Sequence, residues 1–133
     1  MRLKADSIKH RIFVYGTLRV GQPFHHLLGT APLETTTTPP IYELLNLGRY
    51  PGLVEHGQTA VVGEIYEVDK NTLEQLDQYE EHPVEYIRTE IKLSDGSSAE
   101  TYIFQPGEEN YPKIPSGDWV NRPQNLNLAV QKP

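Results

Sequence analysis

The sequence predicts an α+β fold built on a mostly antiparallel sheet that can curl into a barrel. Strand-like runs are short and are separated by Gly-, Pro- and Asp-rich turns. A single segment carries convincing helical periodicity. A doubly wound parallel sheet would need helices between most strands, and the sequence does not supply them. At 133 residues the chain suits one domain, 1–133, with a real core. Residues 1–10 and 121–133 are polar and are expected to be weakly held.

The first element is Arg11–Tyr15, an apolar run that ends at Gly16 and continues as Thr17-Leu18-Arg19. It reads as a buried strand feeding a tight loop, with Gly16 supplying backbone angles that a Cβ forbids. Exposed N–H groups in such a loop form a concave donor site for an anion; an ordinary strand-to-helix turn is the alternative. Nearby Arg19 suits a substrate carboxylate. Pro23 can open a short helix over Phe24–Leu28. Thr35–Thr38 is β-prone and stops at Pro39-Pro40, Ile41–Leu47 resumes a strand, and Gly48–Gly52 turns the chain. Thr59–Val68 is apolar on both faces, as a central strand should be. Glu64 interrupts one of those faces, so it needs a partner or a pocket, unless it reaches water at a barrel rim.

The helix is predicted over Asp69–Glu80, with Asn71 as N-cap, Glu74 completing a capping box, and Pro83 ending it. Val84–Leu93 alternates, placing Ile87, Thr89, Ile91 and Leu93 on one face and Tyr86, Arg88, Glu90 and Lys92 on the other. Ser94-Asp95-Gly96-Ser97 is a hairpin turn into Ala99–Phe104. The Pro- and Gly-rich stretch from Gln105 to Trp119 is expected to wrap the outside, as a lid or as cover for a sheet edge.

Composition removes several chemistries. There is no cysteine and the net charge is −6, which excludes disulfides and thiolates and argues against a nucleic-acid partner. No apolar run approaches the roughly 20 residues of a membrane span. The N-terminus has no signal-peptide core, so a cytosolic protein is expected. His25 and His26 point in different directions on a helix, and no metal set is expected.

One carboxylate breaks the helical pattern. At about 100° per residue, Glu80 returns to within about 20° of Leu73, a position where a buried leucine belongs. Burial and the negative end of the helix dipole would both raise its pKa toward the range of a base near neutral pH. A frayed last turn that swings Glu80 into water is the alternative. Tyr15, Tyr50 and Tyr86 supply rings and hydroxyls for a small cavity. Proton transfer on a small anionic substrate is the chemistry these residues leave open.

These pieces resemble the γ-glutamylcyclotransferase-like family, in the AIG2-like branch that includes γ-glutamylamine cyclotransferases. The resemblance rests on Val14-Tyr15-Gly16-Thr17-Leu18-Arg19, Tyr50-Pro51-Gly52, Val62-Gly63-Glu64-Ile65-Tyr66, Leu76-Asp77-Gln78-Tyr79-Glu80, Tyr86-Ile87-Arg88 and Ser116-Gly117-Asp118-Trp119. It covers the chain from about Arg11 to Trp119. It implies a small mixed, mostly antiparallel β-barrel with flanking helices and a cavity at the barrel mouth. Glu80 would be the catalytic acid–base. Tyr15, Gly16, Thr17, Leu18, Gly52 and Tyr86 would bind the substrate, a γ-glutamyl amide that is released as 5-oxoproline without metal or cofactor. Many relatives have Gly after the glutamate, where this chain has Glu81. The implied partner is this small molecule alone, with no nucleic acid and no membrane, acting on a monomer or weak dimer. A binding module that keeps the cavity without the reaction is the other expectation.

Overall fold

The computed structural model describes residues 8–107 and 109–122. The first strand, β1 (His10–Val14), buries Ile12, Phe13 and Val14 in succession, so both of its faces are covered. The sequence placed it one residue later, and His10 therefore belongs to a strand; residues 1–7 and 123–133 of the expected loose ends lie outside the described residues. After the edge strand β2 (Glu34–Thr37) come β3 (Tyr42–Asn46) and β4 (Pro51–Glu55), which pair antiparallel. β5 (Val62–Val68) lies between β1 and β2, antiparallel to both, and is central as predicted. It starts later than expected, because Thr59 makes only an isolated bridge to Tyr42. β6 (Tyr86–Lys92) and β7 (Ser98–Phe104) pair along their whole length across the predicted Asp95-Gly96 turn.

β4 was not predicted, since Pro51-Gly52 reads as the end of a turn. Proline is accepted as the first residue of a strand. Gly52 is needed because a Cβ there would stand 2.8 Å from the Phe104 ring.

The strand order β2-β5-β1-β7-β4-β3, with β6 also on β7, makes one mixed, mostly antiparallel seven-stranded sheet. β6 occupies one edge of β7, so β1 and β4 share the other, each parallel to it, at Glu100 and Ile103 respectively. Where β1 and β4 part, the Tyr15 hydroxyl fills the gap: it donates to Tyr102 O at 2.7 Å and accepts from Leu53 N at 3.1 Å. The sheet curls into a partial barrel, and Ser94 N donates to Thr37 O at 3.0 Å to tie the β6–β7 turn to β2. Residues Phe13, Leu44, Leu53, Ile65 and Trp119 fill one side of the sheet.

The other side is covered by α1 (Lys70–Tyr79), whose Leu73 and Leu76 pack with Ile12, Tyr66 and Val68. Its N-cap is Asp69, not Asn71: Asp69 has extended backbone and accepts from Thr72 N at 2.8 Å, whereas Asn71 is already helical. The helix expected over Phe24–Leu28 shortens to a 3₁₀ turn, His25–Leu28. The stretch from Gln105 to Trp119 covers an edge: Asn46 N donates to Pro112 O and Ile114 N to Leu44 O, both at 2.8 Å, along β3. Among the described residues, no helix is long and apolar enough to cross a membrane.

Candidate active site

A cavity of about 590 Å³ opens where β1 and β4 diverge, between the loop after β1 and the end of α1. Tyr15, Gly16, Thr17, Leu18, Glu80 and Tyr86 all line it, so the structure gathers six of the seven sequence-predicted site residues. Gly52 is the exception: it packs against Phe104, and its neighbour Pro51 takes the wall position.

Gly16 is required by contact rather than by backbone angle. Its φ is not in the left-handed region, but an added Cβ would fall 2.5 Å from the Pro51 ring. The loop is held by Arg19 N donating to Gly16 O and by Phe24 N donating to Thr17 O, each at 3.0 Å. The N–H groups of Gly16, Thr17 and Leu18 have no acceptor among the described residues. Three successive free donors on a cavity wall favour an anion or a developing oxyanion.

Arg19 is not available to that ligand. It is buried, and its guanidinium bonds Glu64 Oε2 at 3.3 Å and Asp118 Oδ1 at 2.9 Å. Glu64 thereby finds its partner, and it also accepts from Val20 N at 3.0 Å and from the Tyr66 hydroxyl at 2.8 Å. The pair braces the loop from outside the cavity.

Glu80 is the C-cap of α1. The chain leaves the helix through a Schellman closure: His82 N donates to Asp77 O at 2.9 Å and Glu81 N to Gln78 O at 3.1 Å, with Glu81 left-handed at φ 55°. This closure opposes fraying. Both flanks are anchored on β6, since Arg88 grips Asp77 at 2.9 and 3.1 Å and Arg88 N donates to His82 Nδ1 at 3.0 Å. Arg88 also bonds Glu100 at 2.9 Å, so it is a structural ion-pair residue. Burial pushes the Asp77 carboxyl up, but hydrogen bonds from Arg88 and Tyr102 outweigh it and hold the group below the ordinary carboxylate range.

Three residues along, the Glu80 carboxyl has no hydrogen-bond partner among the described residues. It keeps a partial exposure toward the cavity. Burial pushes its pKa up to about 8, and the neighbouring carboxylates Glu81 and Glu85 are not among the causes.

The tyrosines are mostly occupied. Tyr86 donates its hydroxyl to Pro51 O at 2.9 Å, and burial raises its pKa, as it does for Tyr15. Both contribute ring surface to the cavity rather than free hydroxyls. Tyr50, 41% exposed, stands at the mouth. Sequence reasoning missed Tyr79, which shares a 2.7 Å hydrogen bond with Thr17 Oγ1 and so links α1 to the donor loop. It lies beside Glu80 in the Leu76–Glu80 motif, which was the available signal. Arg122 was also missed; it lines the cavity from a polar segment without periodicity. No group of three or more His, Asp or Glu is placed to hold a metal among the described residues.

A family model described as gamma-glutamyl cyclotransferase, AIG2-like, matches residues 12–121. A Vibrio cholerae protein with the provisional name gamma-glutamylcyclotransferase is 47% identical over 116 residues, covering 86% of this chain and 99% of that protein. Gamma-glutamylaminecyclotransferase A of Danio rerio is 35% identical over 127 residues, covering 84% of this chain and 74% of that one. The crystal structure of an AIG2-like protein from Mus musculus superposes with a TM-score of 0.62 at 29% identity, covering 86% of this chain and 84% of that one.

Proposed function

The chain belongs to the gamma-glutamyl cyclotransferase, AIG2-like family, and from that premise we propose that it releases 5-oxoproline from a γ-glutamyl amide, with Glu80 moving the protons. The observation that carries this reading is an unpartnered carboxyl, raised to about 8, facing a cavity lined by Gly16, Thr17 and Leu18, whose N–H groups have no acceptor among the described residues.

The loop donors hold the glutamyl end. The substrate's α-ammonium then meets Glu80 and favours its ionised form. An α-amino group ordinarily titrates near 8, close to the acid it faces, so the transfer is nearly balanced. Glu80 takes one proton, and the freed amine attacks the γ-carbonyl carbon to close the five-membered ring. The carboxylic acid returns that proton to the amide nitrogen as the old C–N bond breaks. The ring nitrogen sheds its surplus proton to the departing amine, leaving a neutral lactam and an alkylammonium ion. Both reacting groups belong to one molecule, so a cavity that holds the chain folded supplies much of the acceleration.

The test is a panel of γ-glutamyl amines, amino acids and protein-linked γ-glutamyl amides assayed for 5-oxoproline. Release that disappears in Glu80→Gln is the expected result. Binding without release would make the protein a small-molecule binding module, and glutamate without the lactam would make it a hydrolase.

A further inference from the structure

The proposed reading uses the donor loop and Glu80 and leaves one cavity cation without a task. Arg122 lines the same cavity, half-buried, with its guanidinium 3.5 Å from the centre of the Trp119 ring. Its Nη1 donates to Trp119 O at 2.6 Å, and that is its hydrogen bond among the described residues. Stacking fixes the plane of the group while most of its N–H donors stay unused.

The contrast with the other arginines is informative. Arg11, Arg19 and Arg88, each at least partly buried, all face carboxylates: Glu34 for the first, Glu64 and Asp118 for the second, Asp77 and Glu100 for the third. Arg122 faces none among the described residues, and burial lowers its pKa with no neighbouring carboxylate to raise it. A partly desolvated cation without a counter-ion, held flat on a cavity wall, is prepared for an anion that arrives with the ligand. Arg49 also lines the cavity but is exposed, where water competes for it.

We propose that Arg122 pairs with a carboxylate on the departing-amine side of the substrate, so that γ-glutamyl derivatives of amino acids react in preference to those of simple alkylamines. The inference rests on the reading above, in which the loop donors already hold the glutamyl end. A cavity of about 590 Å³ has room beyond that end for a leaving group.

The experiment compares matched substrates that differ by the carboxylate: γ-glutamyl-alanine with γ-glutamyl-ethylamine, and γ-glutamyl-δ-aminovalerate with γ-glutamyl-butylamine. The wild type should favour the carboxylate member of at least one pair by about 10- to 100-fold in kcat/KM, the range of a charge-assisted hydrogen bond. In Arg122→Gln that ratio should fall toward one. Arg122→Lys keeps the charge without the fork and should be intermediate. Equal losses on both members, or no preference in the wild type, overturns the proposal.

A second readout does not depend on turnover. Trp119 is the only tryptophan in the chain, so its emission reports on the stacked guanidinium. Titrating γ-glutamyl-alanine into Glu80→Gln protein should give a saturable change that γ-glutamyl-ethylamine reproduces only weakly and that Glu80→Gln/Arg122→Gln loses. If no substrate yields 5-oxoproline but this response is present, the cyclotransferase reading fails and Arg122 remains an anion site. Turnover without the response leaves that reading intact and removes Arg122. Thermal unfolding of each variant shows whether a loss comes from the fold.

Discussion

Two glutamates break the apolar pattern of their elements, and the molecule treats them in opposite ways. Glu64, in the middle of the central strand, is 5% exposed and fully engaged: Arg19, Val20 N and the Tyr66 hydroxyl all reach it. Glu80, at the end of α1, faces a cavity and has no hydrogen bond to its carboxyl among the described residues. An ionised group taken from water needs partners or its pKa moves. Glu64 has partners; Glu80 lacks them, and its pKa moves to about 8. A misplaced charge in a sequence therefore marks two kinds of place, a brace and a site, and the partner list tells them apart.

The largest expected effect separates the two by activity. Glu80→Gln should cut 5-oxoproline release by about 10³-fold or more, since it removes the group that carries the proton both ways. The same substitution should raise stability. Folding raises this carboxyl from 4.5 to about 8, so the fold favours the protonated form. Its contribution is fully present below about 4.5, where both states are protonated. As pH rises toward 8 the unfolded chain ionises while the folded carboxyl stays protonated, so ~3 kcal/mol of stability is lost by pH 7. Urea unfolding at pH 5 and pH 8.5 should show that Glu80→Gln gains on the wild type mainly at the higher pH. Equal gains at both would mean that the raised pKa is not the cause.

At Glu64 the signs reverse. Glu64→Gln leaves the buried Arg19 with Asp118 alone and should destabilise by about 3 kcal/mol. Replacing both members, as in Glu64→Leu/Arg19→Met, should recover part of that loss, because the desolvation of both charges disappears. If Glu64→Gln is as stable as the wild type, the brace is not one, and the comparison loses its structural half.

Next in size is a test of the cavity hydroxyls. Tyr86→Phe leaves Pro51 O without its donor and should cost about 1 kcal/mol in denaturant midpoint. Release of 5-oxoproline should fall less than about tenfold, because the ring stays and the hydroxyl faces backbone rather than substrate. A loss as large as that of Glu80→Gln would give Tyr86 a direct part in the chemistry.

What the sequence made legible follows from range. β1, the Asp95-Gly96 hairpin and the buried stripe of α1 depend on local pattern, and Glu80 was found because it sits where that pattern calls for leucine. β4 was hidden because Pro51-Gly52 is turn chemistry locally, while its place in the sheet comes from Ile103, about fifty residues away. The partner of Glu64 and the cation at residue 122 were hidden for the same reason. Each depends on segments that meet only when the sheet curls, and no periodicity announces them.

The smallest expected effect concerns the turn that presents Glu80. Glu81 occupies the C′ position of the Schellman closure at φ 55°, a place that glycine fills without strain. A side chain there costs roughly 1–2 kcal/mol, while glycine returns roughly 0.5–1 kcal/mol through the freedom of the unfolded chain. The difference leaves Glu81→Gly more stable by up to about 1 kcal/mol, a rise of a few degrees in Tm at most. Because Glu81 contributes nothing to the raised pKa of Glu80, the pH profile of 5-oxoproline release should keep its position. A fall in Tm would show that the Glu81 side chain secures the closure, and a moved profile would show that it tunes the acid beside it. Either result would extend the site by one residue, past the cap to the turn that follows it.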